Sequence, residues 1–427
     1  MADTRIFLAH IDDVCRQVPK EEISFTGEEN IVSYRQEAQP PYQFSQLFIN
    51  EDDQVIGPHI TYSPSGNRPT LIRHAGRQRS FIAHYHEALL IHDAFFLIVD
   101  KDKVVFPNNC NDPTIAHQME TCINLSNMTH MIKKVGPQDI VEWEHYYRTP
   151  PDGITSLYLT MPHVLLGTLV GMSYFHFTYD IIPRLWIYDE WPELRQFPVL
   201  IRPMGDKFEQ ALADAIGIPR SQLSVIPPNA TARLHFKHLI FPSGLCDRMV
   251  TEAKLSFIHS KLANGVVPRP GVPKRRIYLS RVDRPYRGVA NEDDIRAFLQ
   301  SYGFEIIVGA SLSVREQAQL FCETEMLVGV LGGGFTNMVY MPPGAVVLEM
   351  TQRRPAIIDR GDACLLEVAA VRQLHHMVLA SQWDIFDLPR GNMTTSPDFP
   401  TRSIYDLDRL KMAVETGLAL LAEHPVA

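Results

Sequence analysis

The sequence predicts an α/β protein of two domains, on three observations. From about Ser156 onward, short apolar runs alternate with amphipathic stretches of helical period. Those runs are apolar almost throughout, as the strands of a parallel sheet covered on both faces must be. The stretch from Ala263 to Arg276, ANGVVPRPGVPKRR, then interrupts the alternation with three prolines and two glycines, which makes it the candidate interdomain linker.

The elements follow in order. Residues 1 to about 80 are polar and mixed and read as irregular, while Ser80 to Phe106 is rich in aliphatic and aromatic residues and reads as strands, with Asp100-Lys101-Asp102 as a hairpin turn. PVLIRP (Pro198 to Pro203) and HLIFPSG (His238 to Gly244) read as strands, and KFEQALADAIGI and TEAKLSFIHSKLA as helices, the first stopped near Gly217. Beyond the linker, RIYLSR, EIIVG, MLVGV and AVVLEM are four successive strands. Between them Asn291 N-caps a helix that runs to about Tyr302, and Ser313 with Glu316 has the spacing of a capping box. SIYDLDRLKMAVETGLALLAEH closes the chain as an amphipathic helix.

Bulk properties exclude several classes. A 427-residue chain with 45% hydrophobic residues is an ordinary globular composition. Its net charge of −9 gives no electrostatic footprint for nucleic acid. The six cysteines, Cys15, Cys110, Cys122, Cys246, Cys322 and Cys364, have no C-x-x-C pair or zinc spacing and read as reduced thiols. The N-terminus shows no signal-peptide pattern, so a cytoplasmic location is expected. Leu157 to Phe177 is the most membrane-like run, but Pro162, His163 and His176 interrupt it. It is expected to be a strand followed by a helix, with no transmembrane segment and peripheral membrane contact left open.

The chemistry-bearing residues gather at strand ends. Gly332, Gly333 and Gly334 lie between an apolar run and a short helical stretch, where glycine permits a tight turn and close approach of backbone to a ligand. A helix start there presents free N–H groups and a positive dipole to phosphate, with Thr336 and Asn337 as added donors. The spacing is neither that of a triphosphate P-loop nor G-x-G-x-x-G, and a purely structural turn is the alternative. Arg281 ends the first strand after the linker and suits a diphosphate, unless it pairs with Asp283. Glu349 ends the fourth strand, where a carboxylate suits a ribose diol, unless it is merely solvated. Farther upstream, His176 and Asp180 are four apart and share a helix face. Either could take a proton from an attacking hydroxyl, or Asp180 could orient His176. Arg184 reads as a second anion contact or a surface charge. Asp100-Lys101-Asp102 is too short a pattern to assign metal, and His84, His86 and His92 read as a solvated strand face with no metal.

These motifs together resemble the family 61 glycosyltransferases. GVLGGGFTNMVYMPPGAVVLE, Gly329 to Glu349, is similar to the family's G-x-H-G-A-G-L-T-N run followed by P-P-G and an apolar strand ending in Glu. YLSR at Tyr278, NEDDI at Asn291, YGFEII at Tyr302 and LSVREQAQLF at Leu312 match in order. SYFHFTYDIIPRL from Ser173 resembles N-x-x-H-x-x-x-D/E-x-x-P-R-L. The resemblance spans about residues 80 to 350. It implies a GT-B architecture of two Rossmann-like domains facing a cleft: an acceptor-side domain over 1–265, a nucleotide-sugar-binding domain over 274–400, and a helix over 401–427 that packs back on the N-terminal domain. It also implies an inverting, metal-independent transfer from a nucleotide-diphosphate sugar, itself a substrate, to a glycan, lipid-linked or protein acceptor, with no cofactor. Arg281, Gly332, Gly333, Gly334, Thr336, Asn337 and Glu349 would hold the donor. Asp180 is favoured as the base, His176 being the other candidate. The chain departs from the family at Leu331, where His is usual. A catalytically silent nucleotide-sugar-binding protein is therefore one alternative, and a nucleotide-sugar epimerase on the same architecture is another.

Overall fold

The computed structural model describes most of residues 11–39, strands within 42–105, and residues 155–167, 173–226, 232–245, 250–282, 287–351, 363–385 and 402–423 apart from position 273. The chain divides into two compact units, one of residues 1–37 and 77–247, the other of 38–76 and 248–427.

The first unit is built on a mixed sheet. The long strand Gly76–Ile91 pairs antiparallel with Ala232–Pro242 on one side and with Phe96–Val99 on the other. Ala232–Pro242 in turn runs parallel to His163–Leu165, which is parallel to Val199–Ile201, itself parallel to Leu223–Val225. The sheet is therefore mixed, antiparallel around Gly76–Ile91 and parallel beyond Ala232–Pro242. Phe81, Ala83, Tyr85, Leu165, Leu200, Phe236, Leu239 and Phe241 form its core. The helix Asp206–Ile216 ends at Gly217, whose φ of 82° is the left-handed conformation the stop requires.

The central place of Gly76–Ile91 corrects one expectation. His84 is not on a solvated face: it is fully buried, with Nε2 3.2 Å from His238 Nδ1 and Nδ1 3.2 Å from the Glu29 carbonyl. Burial first, and then the charge of His238, push its pKa down to about 4, so it stays neutral. His92 and the Asp100-Lys101-Asp102 turn lie outside the described residues. Among the described residues no His, Cys, Asp or Glu cluster is arranged for a metal, and no helix is long and apolar enough to cross a membrane.

The second unit contains an all-parallel sheet. Its strands are β1 (Arg275–Leu279), β2 (Glu305–Ile307), β3 (Thr324–Val330), β4 (Val346–Thr351) and β5 (His375–Ala380), in the spatial order 2-1-3-4-5. The strand Leu47–Phe48 adds to the outer edge of β5, and Tyr42–Ser45, Thr61–Ser63 and Thr70–Arg73 make a small antiparallel sheet in the same unit. This part of the N-terminal stretch, read as irregular, thus belongs with the C-terminal sheet. Helix Val314–Cys322 begins in the expected capping box of Ser313 and Glu316. Asn291 stands at the N-cap of helix Glu292–Ser301 without capping it. Its amide instead donates to the Tyr405 carbonyl at 2.8 Å, and its Oδ1 accepts from the Tyr405 N–H at 3.2 Å.

Two further expectations change. The proline-rich stretch from 263 to 276 lies inside the second unit, and Glu323 binds it there. Arg269 donates from Nε and Nη2 to the two Glu323 oxygens at 2.7 and 2.8 Å, and its backbone N–H donates at 3.1 Å. The closing helix, Leu407–Glu423, spends its buried face on its own unit: Leu410, Ala413 and Val414 share a core with Met326, Val346, Leu348 and Met377. Gly417 allows the close approach, since a Cβ there would meet Met326 Cε at 2.7 Å and Val346 Cγ1 at 3.1 Å.

The Glu323 carboxylate is 2% exposed, and the Arg269 guanidinium holds its pKa down to about 2 from 4.5. Its stabilising contribution is complete above pH 4.5 and is lost as pH falls toward 2. Glu323→Gln is expected to lower the melting temperature by several degrees at pH 7, with the gap to the parent closing in a thermal-denaturation series taken down to pH 2. A gap that persists unchanged at pH 2 contradicts this.

Candidate functional site

In a 2-1-3-4-5 parallel sheet, the loops leaving β1 and β3 diverge to opposite faces and open a crevice at the carboxyl ends of those strands. β1 delivers Ser280 and Arg281 to that point, and β3 delivers Leu331 and the three glycines. The two loops meet side chain to backbone. A Cβ on Gly332 would lie 2.0 Å from Arg281 Nη1 and 3.1 Å from its Cζ, so the guanidinium occupies the space that any other residue at 332 would fill. Gly334 gives similar room to Leu279, whose Cδ1 would stand 2.9 Å from a Cβ there. Gly332 has an extended backbone, φ 171°, so closeness to Arg281 rather than backbone conformation makes glycine necessary.

The turn then enters a 3₁₀ helix, Gly333–Tyr340. Thr336 and Asn337, expected to offer donors to a ligand, are 0% and 1% exposed. The Asn337 amide donates to Gln317 Oε1 at 2.9 Å and to the Gly334 carbonyl at 3.0 Å, which fixes the shape of the turn. These residues build the cradle from behind. On β4, Glu349 is in register with Gly329 on one side and Val378 on the other. It is buried, and its Oε2 lies 3.0 Å from Nε2 of His376, so it is not a solvated strand end. Tyr405 ties these parts together: burial pushes its hydroxyl pKa up, the charges of Asp384 and Glu349 add to this, and Arg281 opposes it. Arg281 and Glu349 therefore act electrostatically on one buried hydroxyl.

Four residues of this region escaped the sequence reading. Arg287 Nη1 donates to the Leu331 carbonyl at 3.3 Å. Asp384 accepts from Ser381 and Ser403, each at 2.7 Å. His376 backs Glu349, and Tyr405 is almost fully buried. Only Arg287 had a signal, as the third arginine of RVDRPYR immediately after the first strand.

The first unit brings His176 and Asp180 together. Ser173 caps the helical start by accepting the His176 N–H at 3.3 Å. Pro183 has no N–H to give and disturbs an α-helix at the turn before it. The chain answers with a π-helical turn over Phe177–Ile181 and a 3₁₀ turn over Ile182–Leu185. Such turns are frequent at functional sites. Across it, His176 Nδ1 lies 2.6 Å from Asp180 Oδ2, and both side chains are partly exposed. Arg184 is not an anion contact here. It is 2% exposed, donates to the carbonyls of Asp180 (3.0 Å) and Pro242 (3.2 Å), and lies over the Phe241 ring at 5.0 Å. It anchors the dyad's backbone.

The second unit's sheet order, with a glycine turn and an arginine at its crevice, is the frame on which mononucleotide-binding α/β domains are built. Residues 174–348 match the Glycosyltransferase 61 family model. That segment is similar to the family 61 glycosyltransferases, the resemblance its motifs indicated. It includes His176, Asp180, Arg281 and the glycine turn and stops one residue short of Glu349. The chain is also similar to the EGF domain-specific O-linked N-acetylglucosamine transferases of Mus musculus (22% identical over 165 residues, 37% of this chain and 30% of that one) and Gallus gallus (23% over 146 residues, 33% and 26%). It thus spans less than a third of the length of the curated relatives it matches.

Arg281 and the turn amides bring together the charge and the donors that a compact polyanion would need. Gly332→Ala should fold normally but displace the guanidinium, and Arg281→Ala removes it. Each variant is expected to weaken binding of inorganic pyrophosphate by about 10- to 100-fold, as loss of about 1.5–3 kcal/mol from charged hydrogen bonds implies. Titration calorimetry beside a melting curve checks this; unchanged affinity in both variants contradicts the cradle.

Proposed function

We propose that the protein is an inverting glycosyltransferase that moves a sugar from a nucleoside-diphosphate sugar to a hydroxyl acceptor without a divalent metal. The observation that carries the reading is the Arg281 guanidinium set against Gly332 at the crevice of a parallel sheet, inside the family-matched segment. The donor's diphosphate lies in that cradle, and Glu349, backed by His376, faces the ribose. As the bond from the anomeric carbon to the phosphate oxygen breaks, the charge released on the diphosphate is taken up by Arg281 and the N–H groups of the turn. That takes the place of the Lewis acid a metal-dependent enzyme uses.

The acceptor hydroxyl attacks the opposite face of the anomeric carbon in a single displacement, and this inverts the centre. Its proton goes to a base, for which the His176–Asp180 pair is the candidate. The 2.6 Å contact supports His176 in this role rather than Asp180, which the sequence reading favoured. Asp180 accepts a hydrogen bond from Nδ1–H, fixes the tautomer that leaves the Nε2 lone pair for the acceptor proton, and stabilises the imidazolium that forms. The relatives named as O-linked N-acetylglucosamine transferases are consistent with a sugar donor and a hydroxyl acceptor.

A second reading follows from Leu331. This residue is buried, its N–H donates to the Met350 carbonyl at 3.0 Å, and an apolar side chain stands where the family usually has His. A protein that binds donor but does not turn it over would be built this way. An epimerase would consume donor with no acceptor present.

Single-turnover transfer of a radiolabelled nucleotide sugar in EDTA tests the base. His176→Ala is expected to bind donor normally and to lose about 10²- to 10⁴-fold in transfer. Asp180→Asn is expected to slow transfer as well, because His176 loses the carboxylate that orients its ring. If His176→Ala retains transfer while Asp180→Asn abolishes it, the carboxylate is the base. If neither matters at full donor occupancy, the catalytic centre lies elsewhere.

A further inference from the structure

Arg287 combines three observations. Its φ is 53°, in the left-handed region that residues with a Cβ seldom adopt. The chain immediately beyond it is fixed: Gly288–Val289 pairs parallel with Arg402–Ser403 in a small three-stranded sheet completed by Trp383–Ile385. The kink at 287 accompanies a side chain that reaches the other loop of the crevice, where Nη1 donates to the Leu331 carbonyl at 3.3 Å. Unfavourable backbone of this kind persists where surrounding structure enforces it, and it concentrates at ligand clamps.

The consequence lies in the peptide plane. The peptide joining Leu331 to Gly332 is trans, as no cis bond occurs among the described residues. In a trans peptide the carbonyl and the following N–H point in opposite directions. Holding the Leu331 carbonyl toward Arg287 therefore directs the Gly332 N–H away from it. The other end of Leu331 is fixed as well, because its N–H is bonded to the Met350 carbonyl of β4. Arg287 and β4 between them set the orientation of the first amide of the glycine turn, and Arg281 packs on the residue that carries it.

We infer that Arg287 is a positioning residue for the donor diphosphate: by holding the Leu331 carbonyl it aims the Gly332 amide into the phosphate cradle. This rests on the donor-site reading above. It assigns Arg287 a role separate from Arg281, which supplies charge directly. The position needs a long donor that can span from the loop after β1 to the loop after β3, and the arginine side chain does so across the crevice.

The test compares the full-length parent, Arg281→Ala, Arg287→Ala and Arg287→Lys, each with UDP, GDP, inorganic pyrophosphate and uridine. Titration calorimetry gives affinities, and hydrogen exchange of the ligand-free proteins follows the peptide covering 331–340. Arg287→Ala is expected to weaken diphosphate and pyrophosphate binding about tenfold and leave uridine binding and the melting temperature unchanged. It should also speed exchange at the glycine turn. Arg287→Lys, which keeps a donor and a charge, should recover most of the loss. Wild-type affinity for diphosphate in Arg287→Ala, alongside a loss in Arg281→Ala, overturns the inference and leaves the donor site standing. Weakened binding with unaltered exchange makes Arg287 a plain charge and also overturns it, as does equal loss of uridine or a lysine variant as weak as alanine. If the parent binds neither diphosphates nor pyrophosphate, the donor site falls and this inference with it.

Discussion

The contact between the Arg281 guanidinium and Gly332 is the constraint on which the second unit's site depends. It requires the residue at 332 to have no side chain, since a Cβ would sit 2.0 Å from Nη1. It requires β1 and β3 to be adjacent, which the 2-1-3-4-5 order provides. It also requires the two strands to approach closely at their ends. Gly329 and Gly334 allow this by leaving Leu279 room on both sides of the turn. A cation set at the start of a helix adds its charge to that of the N–H groups, an arrangement suited to an anion. The buried Asn337–Gln317 bond and the Glu349–His376 pair hold the surrounding walls.

The first unit solves a different local problem in a similar way. Pro183 interrupts the helical hydrogen-bond ladder, and the π turn before it absorbs the interruption. Arg184 then donates its Nε to the Asp180 carbonyl, while Trp186 Nε1 donates to the Ser243 carbonyl at 2.9 Å. The segment is thus anchored at the carboxyl end of strand Ala232–Pro242. The result is a His–Asp pair in fixed orientation, as a base of defined tautomer needs.

Much of this was legible because it is local. The capping box at Ser313, the left-handed stop at Gly217, the strands of the second unit and the glycine turn each have a short-range physical signature, and each is present. The family motifs likewise fall in the matched segment, apart from Ser173 and Glu349 just outside its two ends. What was not legible depends on partners distant in sequence. A proline-rich stretch reads as a linker until Glu323, 54 residues from Arg269, is seen to hold it. An amphipathic helix declares that it has a buried face and not which sheet covers it, so Leu407–Glu423 was assigned to the wrong unit. Strand Leu47–Phe48 has only two residues, too few for any periodicity. His84 looked solvated because alternation cannot tell an inner strand from an edge. Thr336 and Asn337 are polar, but their burial against helix Val314–Cys322 turns them inward. Arg287 needed both its φ and its acceptor to stand out from a loop of arginines.

Hydrogen exchange in the presence and absence of UDP, with EDTA throughout, tests the central claim most directly. Metal-free binding at the β1/β3 crevice predicts slowed exchange in peptides covering 279–289 and 329–340, with little change in the sheet Gly76–Ile91 and Ala232–Pro242 of the first unit. Protection that appears only when Mn²⁺ replaces EDTA, or that falls elsewhere and leaves the glycine turn unprotected, contradicts it.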